Sequence, residues 1–149
     1  MSKSEMIISI DNINILILID KLFTHLNKTQ AKFNETNHFI NESIVLSSLS
    51  TEDIYNWLKV NQNEPKNVFL LGIFSYFNII SLKDNNNEGF NYFLKSADNC
   101  PIAQLYLGKC YTRGFGTEIN ANLAFNWKKK AAENEIIYAQ LELGYLYKT

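Results

Sequence analysis

The chain has 149 residues, of which 46% are hydrophobic, and it carries a formal net charge of −1 at neutral pH. This length is enough for one domain with a buried core, and the hydrophobic fraction is ordinary for a soluble globular protein. A general nucleic-acid-binding protein normally carries a basic excess, so the net charge argues against nucleic acid as a partner.

An apolar stretch at residues 6–19 follows a short polar start. Acidic and amide residues interrupt this stretch before it reaches the about 20 apolar residues that a membrane span needs, and no small-residue cleavage site of a signal peptide follows it. We therefore expect a buried helix that continues to Asn27 rather than a membrane segment. The residues at helical spacing in this helix are Ile15, Ile19, Leu22, Phe23 and Leu26.

Two further helices are predicted before residue 65, one from Ala31 to about Ser47 and one over about Glu52 to Asn61. The third helix has two interpretations. It is either a separate capping helix, or a vestigial helix of the repeat described next, because Trp57 lies 35 residues before Tyr92. Terminal repeats are often atypical because they must cover an apolar face.

A repeat with a period of 36 residues occupies the rest of the chain. Residues 103–108 (AQLYLG) recur as residues 139–144 (AQLELG) and, in degenerate form, as residues 67–72 (NVFLLG). The glycines that end these segments, Gly72, Gly108 and Gly144, are evenly spaced. A fixed period of this length predicts a solenoid of helical repeats.

Each clear repeat is expected to hold two helices joined by a glycine turn. Helix A should run to Arg113 and end at Gly114, and helix B should begin after the N-cap residue Asn120. A glycine inside helix A costs about 0.5–1 kcal/mol relative to alanine, so Gly108 indicates close approach of a neighbouring helix. We expect the lysine run 128–130 to be solvated surface.

The clear repeat resembles the Sel-1-like repeat, which belongs to the tetratricopeptide-like superfamily. Asn120 stands where that family prefers Asp, and Lys128 stands where a second aromatic is usual. Ten residues match the family pattern in order: Ala103, Leu107, Gly108, Tyr111, Gly114, Gly116, Ala124, Trp127, Ala131 and Ala132. The sequence is rich in Asn and Ile, and in this it is similar to fungal members of the family. In some of those members the repeats follow a protein kinase domain.

The resemblance implies an all-α fold, a right-handed α-α solenoid of Sel-1-like helix pairs with extra N-terminal helices. The expected domains are an N-terminal helical region at 1–50, a capping helix and linker at 51–66, and repeats at 67–149. The first repeat (67–99) is degenerate, the second (103–134) is clear and the third (139–149) is partial. An open third repeat at residues 143–147 leaves self-association as an option.

The family resemblance also implies a non-catalytic adaptor or scaffold that binds a protein or peptide on the inner, concave wall lined by helix A. The candidate contact residues share the repeat positions that face this wall: Leu105, Lys109, Thr112 and Arg113, the upstream Ile73, Tyr76 and Phe77, and the downstream Tyr145. This mixture suits a peptide with apolar anchors and an acidic group. Packing between repeats is the other interpretation for Leu105.

Few residues suggest catalytic chemistry. Cys100 and Cys110 are ten residues apart on mostly helical chain, or roughly 13–15 Å, too far for a disulfide. Reduced thiols fit a cytoplasmic protein. His25 and His38 lack further metal ligands, so we expect no metal or cofactor.

Two other functions are alternatives to the adaptor. One is a regulatory tail that acts in cis on a protein kinase, and the other is a hydrolase-like enzyme, which needs a nucleophile and a base in one pocket.

Overall fold

The computed structural model describes residues 3–29, 32–81 and 85–148, with side chains for 12–29, 32–81 and 86–144. Throughout these ranges the regular structure is helical and no strand occurs, which confirms the all-α class. The helices are α1 (Lys3–Thr29), α2 (Phe33–Ser47), α3 (Thr51–Val60), α4 (Pro65–Tyr76), α5 (Asn85–Ser96), α6 (Pro101–Arg113), α7 (Ala121–Glu133) and α8 (Ile137–Lys148). They fall into two compact units, Met1–Trp57 and Leu58–Thr149.

In the first unit α1 packs against α2. The predicted apolar face of α1 is confirmed, because Ile15, Ile19, Leu22 and Leu26 are buried. The burial is one-sided, and the other face of α1 exposes three apolar side chains: Ile13, Leu16 and Ile17.

The two histidines of this unit contact different residues. The His25 ring stacks on Phe39, with ring centroids 3.5 Å apart, and burial lowers the pKa of His25. His38 is exposed and lies 3.3 Å from the carboxylate of Glu42 on the same helix. Both histidines therefore have local partners.

The second unit is a stack of helix pairs. Helix α4 packs on α5, and α6 packs on α7. Successive pairs are joined by contacts of α5 with α6 and of α7 with α8. In repeat terms α4, α6 and α8 are A helices, and α5 and α7 are B helices. Helices α4 and α6 are thus each covered by the B helix of their own repeat, and α6 and α8 are also covered by the B helix of the preceding repeat.

Local sequence signals set the helix ends of the clear repeat. Pro101 occupies the first turn of α6, where its missing N–H leaves no bond unmade. Gly114 ends α6 in the left-handed region, with φ of 73°, and its N–H donates to the carbonyl of Cys110. Asn120 caps α7 by accepting a 3.0 Å hydrogen bond from the N–H of Leu123. These predicted boundaries are confirmed.

Two of the helix-A glycines, Gly72 and Gly108, receive the side chain of a B-helix residue. An added Cβ at Gly72 would lie 2.6 Å from ring carbons of Phe93, and one at Gly108 would lie 2.6 Å from Cγ of Lys128. Phe93 and Lys128 are 35 residues apart, so the same notch is used in successive repeats. The expected close approach of helix B at Gly108 is confirmed.

An amide side chain on each A helix donates to a carbonyl at the C-terminal end of the preceding helix. The three bonds are Asn67 to Asn61 (2.9 Å), Gln104 to Ala97 (2.8 Å) and Gln140 to Ala132 (2.9 Å). The turn after α3 therefore makes the contact that follows α5 and α7. The interpretation of α3 as a vestigial B helix stays a prediction.

The exposed surface of α8 differs from our expectation. Leu143, expected to be partly uncovered, is buried, whereas Ile137 and Leu141 are exposed. Leu141 is 68% exposed while its equivalent one repeat earlier, Leu105, is 1% exposed. The side chains of Leu146 and Tyr147 lie outside the described residues.

Candidate functional site

Helix α6 reaches the surface along one short strip. Every residue from Ile102 to Gly108 is buried, and so is Cys110. Lys109 is half-buried, and Thr112 and Arg113 are exposed. These three residues, which we call the α6 strip, lie three and four positions apart and therefore share one face of the helix.

Tyrosines from three successive A helices surround the two cations of the strip. The Lys109 ammonium nitrogen lies 5.6 Å from the ring centre of Tyr106 on α6 and 4.6 Å from that of Tyr138 on α8. The guanidinium carbon of Arg113 lies 5.9 Å from the ring centre of Tyr76 on α4. These distances are within the range of cation–π attraction, so the rings restrain both cations.

The Thr112 hydroxyl is also fixed locally. It donates a 2.9 Å hydrogen bond to the carbonyl of Gly108, one turn earlier on α6. Its oxygen remains on the exposed face, where its lone pairs can accept a hydrogen bond. The strip therefore offers two cations and one acceptor within a single helical turn.

A carboxylate lies close to this cationic strip. The Oε2 atom of Glu142 on α8 is 3.2 Å from the ammonium nitrogen of Lys128 on α7, and the two side chains are 28% and 16% exposed. Tyr138 forms a hydrogen bond with the Glu142 side chain. Since the ring of Tyr138 also contacts Lys109, one tyrosine connects the strip to the ion pair.

The electrostatics of the strip reflect this crowding. Burial, with the nearby charges of Arg113 and Lys128, lowers the pKa of Lys109, whereas Glu142 acts in the opposite direction. Burial and the hydrogen bond with Glu142 raise the pKa of Tyr138. Burial also raises the pKa of Tyr76, to about 12, although the charge of Arg113 partly offsets it. The tyrosines are therefore neutral at neutral pH, and Glu142 is a counter-charge that acts on Lys109.

The structure places the sequence-predicted contact residues in different environments. Lys109, Thr112 and Arg113 form the accessible strip. Ile73, Tyr76, Phe77 and Leu105 are buried, and present little surface to a partner. The side chain of Tyr145 lies outside the described residues.

Four residues of the site were not predicted from the sequence: Tyr106, Lys128, Tyr138 and Glu142. Lys128 was expected on solvated surface, and this expectation is wrong, because its stem fills the notch at Gly108 and its ammonium pairs with Glu142. A signal was present in the sequence. Lys128 departs from the aromatic usual at its repeat position, and Glu142 stands where the preceding repeat has Tyr106.

Other chemistry is sparse in the described part of the chain. Cys100 and Cys110 are buried free thiols, and burial raises their pKa values to about 11 and about 12. No cluster of three or more potential metal ligands occurs among the described residues. Over the same residues, no helix combines the length and the apolar character required to cross a bilayer.

Stacked helix pairs with a charged strip on one A helix define an α-helical repeat protein. The Sel1 repeat family model matches residues 69–99, 101–135 and 137–149, together more than half of the chain. The chain therefore belongs to the Sel1 repeat family, whose repeats are generally protein-interaction modules. No curated protein and no solved structure matches the chain.

Proposed function

We propose that this protein is a non-catalytic interaction module, a scaffold or adaptor, that binds an acidic segment of a partner protein on the α6 strip. The supporting observation is the exposure pattern of α6. On a helix that is otherwise almost wholly buried, the accessible residues of the last turns include two cations. Charge complementarity at an exposed strip favours carboxylates of the partner.

The restraint on the two cations supports the same function. Lys109 lies between the rings of Tyr106 and Tyr138, and Arg113 lies over Tyr76. A long cationic side chain normally loses rotamer entropy when it binds, and part of that cost is already met when aromatic rings hold it in place. Buried reduced thiols at Cys100 and Cys110 are compatible with a cytoplasmic location.

The test uses short degenerate peptides with glutamate fixed at the centre, measured by fluorescence anisotropy. The Lys109→Glu, Arg113→Glu variant should bind the pool at least about tenfold more weakly than the wild type, a loss of about 1.4 kcal/mol. The control is Lys32→Glu, Lys129→Glu, which makes the same change in net charge at two exposed lysines that do not belong to the strip. Circular dichroism should show all three proteins to be folded.

Equal weakening in both charge variants would contradict the proposal, because the strip would then contribute nothing beyond net charge. Failure of the wild type to bind any peptide of the pool would also contradict it. That second result would favour the alternative of a regulatory tail that acts in cis on a protein kinase.

A further inference from the structure

The carboxylate of Glu142 is held in place beside the α6 strip. Its Oε2 atom lies 3.2 Å from the Lys128 ammonium, and the hydroxyl of Tyr138 bonds its side chain from the same helix. The side chain is only 28% exposed. With two polar partners and little room, Glu142 presents a fixed negative charge rather than a mobile surface charge.

The stacking of the repeats does not by itself require this charge. At the preceding junction the equivalent positions are Phe93 and Tyr106, whose rings stack with centroids 5.4 Å apart. A helix-B side chain over the glycine notch and a helix-A side chain on the next repeat therefore meet at both junctions. At the second junction the pair is charged, and the negative member lies next to the cations of the strip.

The position of Tyr138 shows how close this charge comes to a bound ligand. Its ring contacts Lys109, and its hydroxyl contacts Glu142. Any anion that pairs with Lys109 therefore lies within range of the Glu142 charge. The repulsion grows in proportion to the charge of the ligand.

We propose that Glu142 is a selectivity residue, which shifts the preference of the α6 strip from phosphomonoesters towards the singly charged carboxylates of an acidic peptide. This inference rests on the proposed function. A phosphomonoester carries about −1.5 to −2 charges near neutral pH, so Glu142 repels it up to about twice as strongly as a carboxylate. The cost of removing an anion from water also rises steeply with its charge, which disfavours phosphate further at a half-buried lysine.

The test compares two pools of short degenerate peptides, one with glutamate and one with phosphoserine fixed at the centre. The measured quantity is the ratio of the two dissociation constants. For Glu142→Gln, which keeps the shape and one acceptor oxygen, the ratio should shift towards phosphoserine by about 3- to 10-fold, as expected for the loss of one nearby unit charge at a partly solvated site. Glu142→Asp keeps the charge and should retain a ratio near that of the wild type.

Glu133→Gln is the matched control, because it removes one exposed carboxylate at the end of α7. An unchanged ratio in Glu142→Gln, or an equal shift in Glu133→Gln, would overturn the selectivity role while leaving peptide binding intact. Failure of the wild type to bind the glutamate pool would instead overturn the proposed function and this inference together. The two failures are thus distinguishable.

Discussion

Lys128 and Glu142 form an ion pair at the place where Phe93 and Tyr106 stack one repeat earlier. The charged atoms are 3.2 Å apart, and the two rings meet at 5.4 Å with an interplanar angle of 27°. In both cases the first residue crosses a helix-A glycine and the second belongs to the next A helix. The two junctions therefore share a geometry and differ in their chemistry.

This equivalence predicts the result of replacing the ion pair by the aromatic pair of the preceding junction. The double variant Lys128→Phe, Glu142→Tyr should fold and should be as stable as the wild type or more stable, by about 1–2 kcal/mol, because replacing a half-buried ion pair by packed apolar groups removes a desolvation cost. Each single change leaves one charge without its partner and should lower the free energy of unfolding by about 1–2 kcal/mol, since the site is partly solvated. Urea denaturation of the four proteins measures the coupling. A double variant less stable than both single variants would contradict the equivalence.

The glycine notches predict a graded response to alanine. Gly72→Ala should destabilise by about 1–3 kcal/mol, because its Cβ would lie 2.6 Å from two carbons of the stiff Phe93 ring. Gly108→Ala should cost less, since the closest atom belongs to the flexible Lys128 side chain. Gly144→Ala is the control. No described atom lies within 4 Å of its added Cβ, so it should gain about 0.5–1 kcal/mol of helix propensity. Thermal unfolding would rank the three variants, and a different order would contradict the notch interpretation.

The ends of the helices in the clear repeat show what could be predicted from the sequence. Pro101, Gly114 and Asn120 act through their own backbone neighbours, so the ends of α6 and α7 were predictable from local chemistry. The repeat spacing also identified Lys109 and Arg113 as a shared face. Spacing does not indicate what covers that face, however, and at the equivalent positions of the first repeat the side chains are buried.

The environment of Lys128 could not be predicted from the sequence. Three consecutive lysines are typical of a solvated helix surface, and Lys129 is indeed exposed. Lys128 is half-buried because Gly108 leaves a notch for its stem and because Glu142, 14 residues further along the chain, supplies the counter-charge. Its environment is thus decided by two contacts with neighbouring helices, which the composition of its own helix does not reveal.

The N-cap of α7 gives a prediction about local stability. Asn120→Ala removes the acceptor of the 3.0 Å bond from the Leu123 N–H and should lower the free energy of unfolding by about 1 kcal/mol. Asn120→Asp keeps an oxygen in the same place and should leave stability near the wild-type value, as the negative charge also suits the helix N-terminus. Urea denaturation distinguishes the two. Equal stability of the alanine and aspartate variants would show that the cap contributes nothing.

The two thiols should be unreactive in the folded protein. Burial raises the pKa of Cys100 to about 11 and that of Cys110 to about 12, so almost no thiolate exists at pH 8 and neither sulfur is accessible. We expect no fast reaction with an aromatic disulfide reagent in native buffer at pH 8, and two equivalents of reaction in denaturant. Rapid labelling of the native protein would contradict the burial of these side chains.

The raised pKa values also predict a loss of stability at alkaline pH. Above about pH 9 the unfolded chain releases the protons of Cys100 and Cys110, while the folded protein keeps them up to about pH 11 to 12. The folded state then binds more protons than the unfolded state, so the free energy of unfolding falls as pH rises, by at most about 1.4 kcal/mol per pH unit and group.

The raised pKa of Tyr76 adds to this fall in stability above pH 10. Lys109 has the opposite sign, because its lowered pKa makes the unfolded state the better proton binder, but it is one group against the two thiols and the buried tyrosines. Urea denaturation at pH 8 and pH 10.5 measures the slope, and the slope should be shallower for Cys110→Ala. A stability that rises over this interval would mean that these groups are not buried as described.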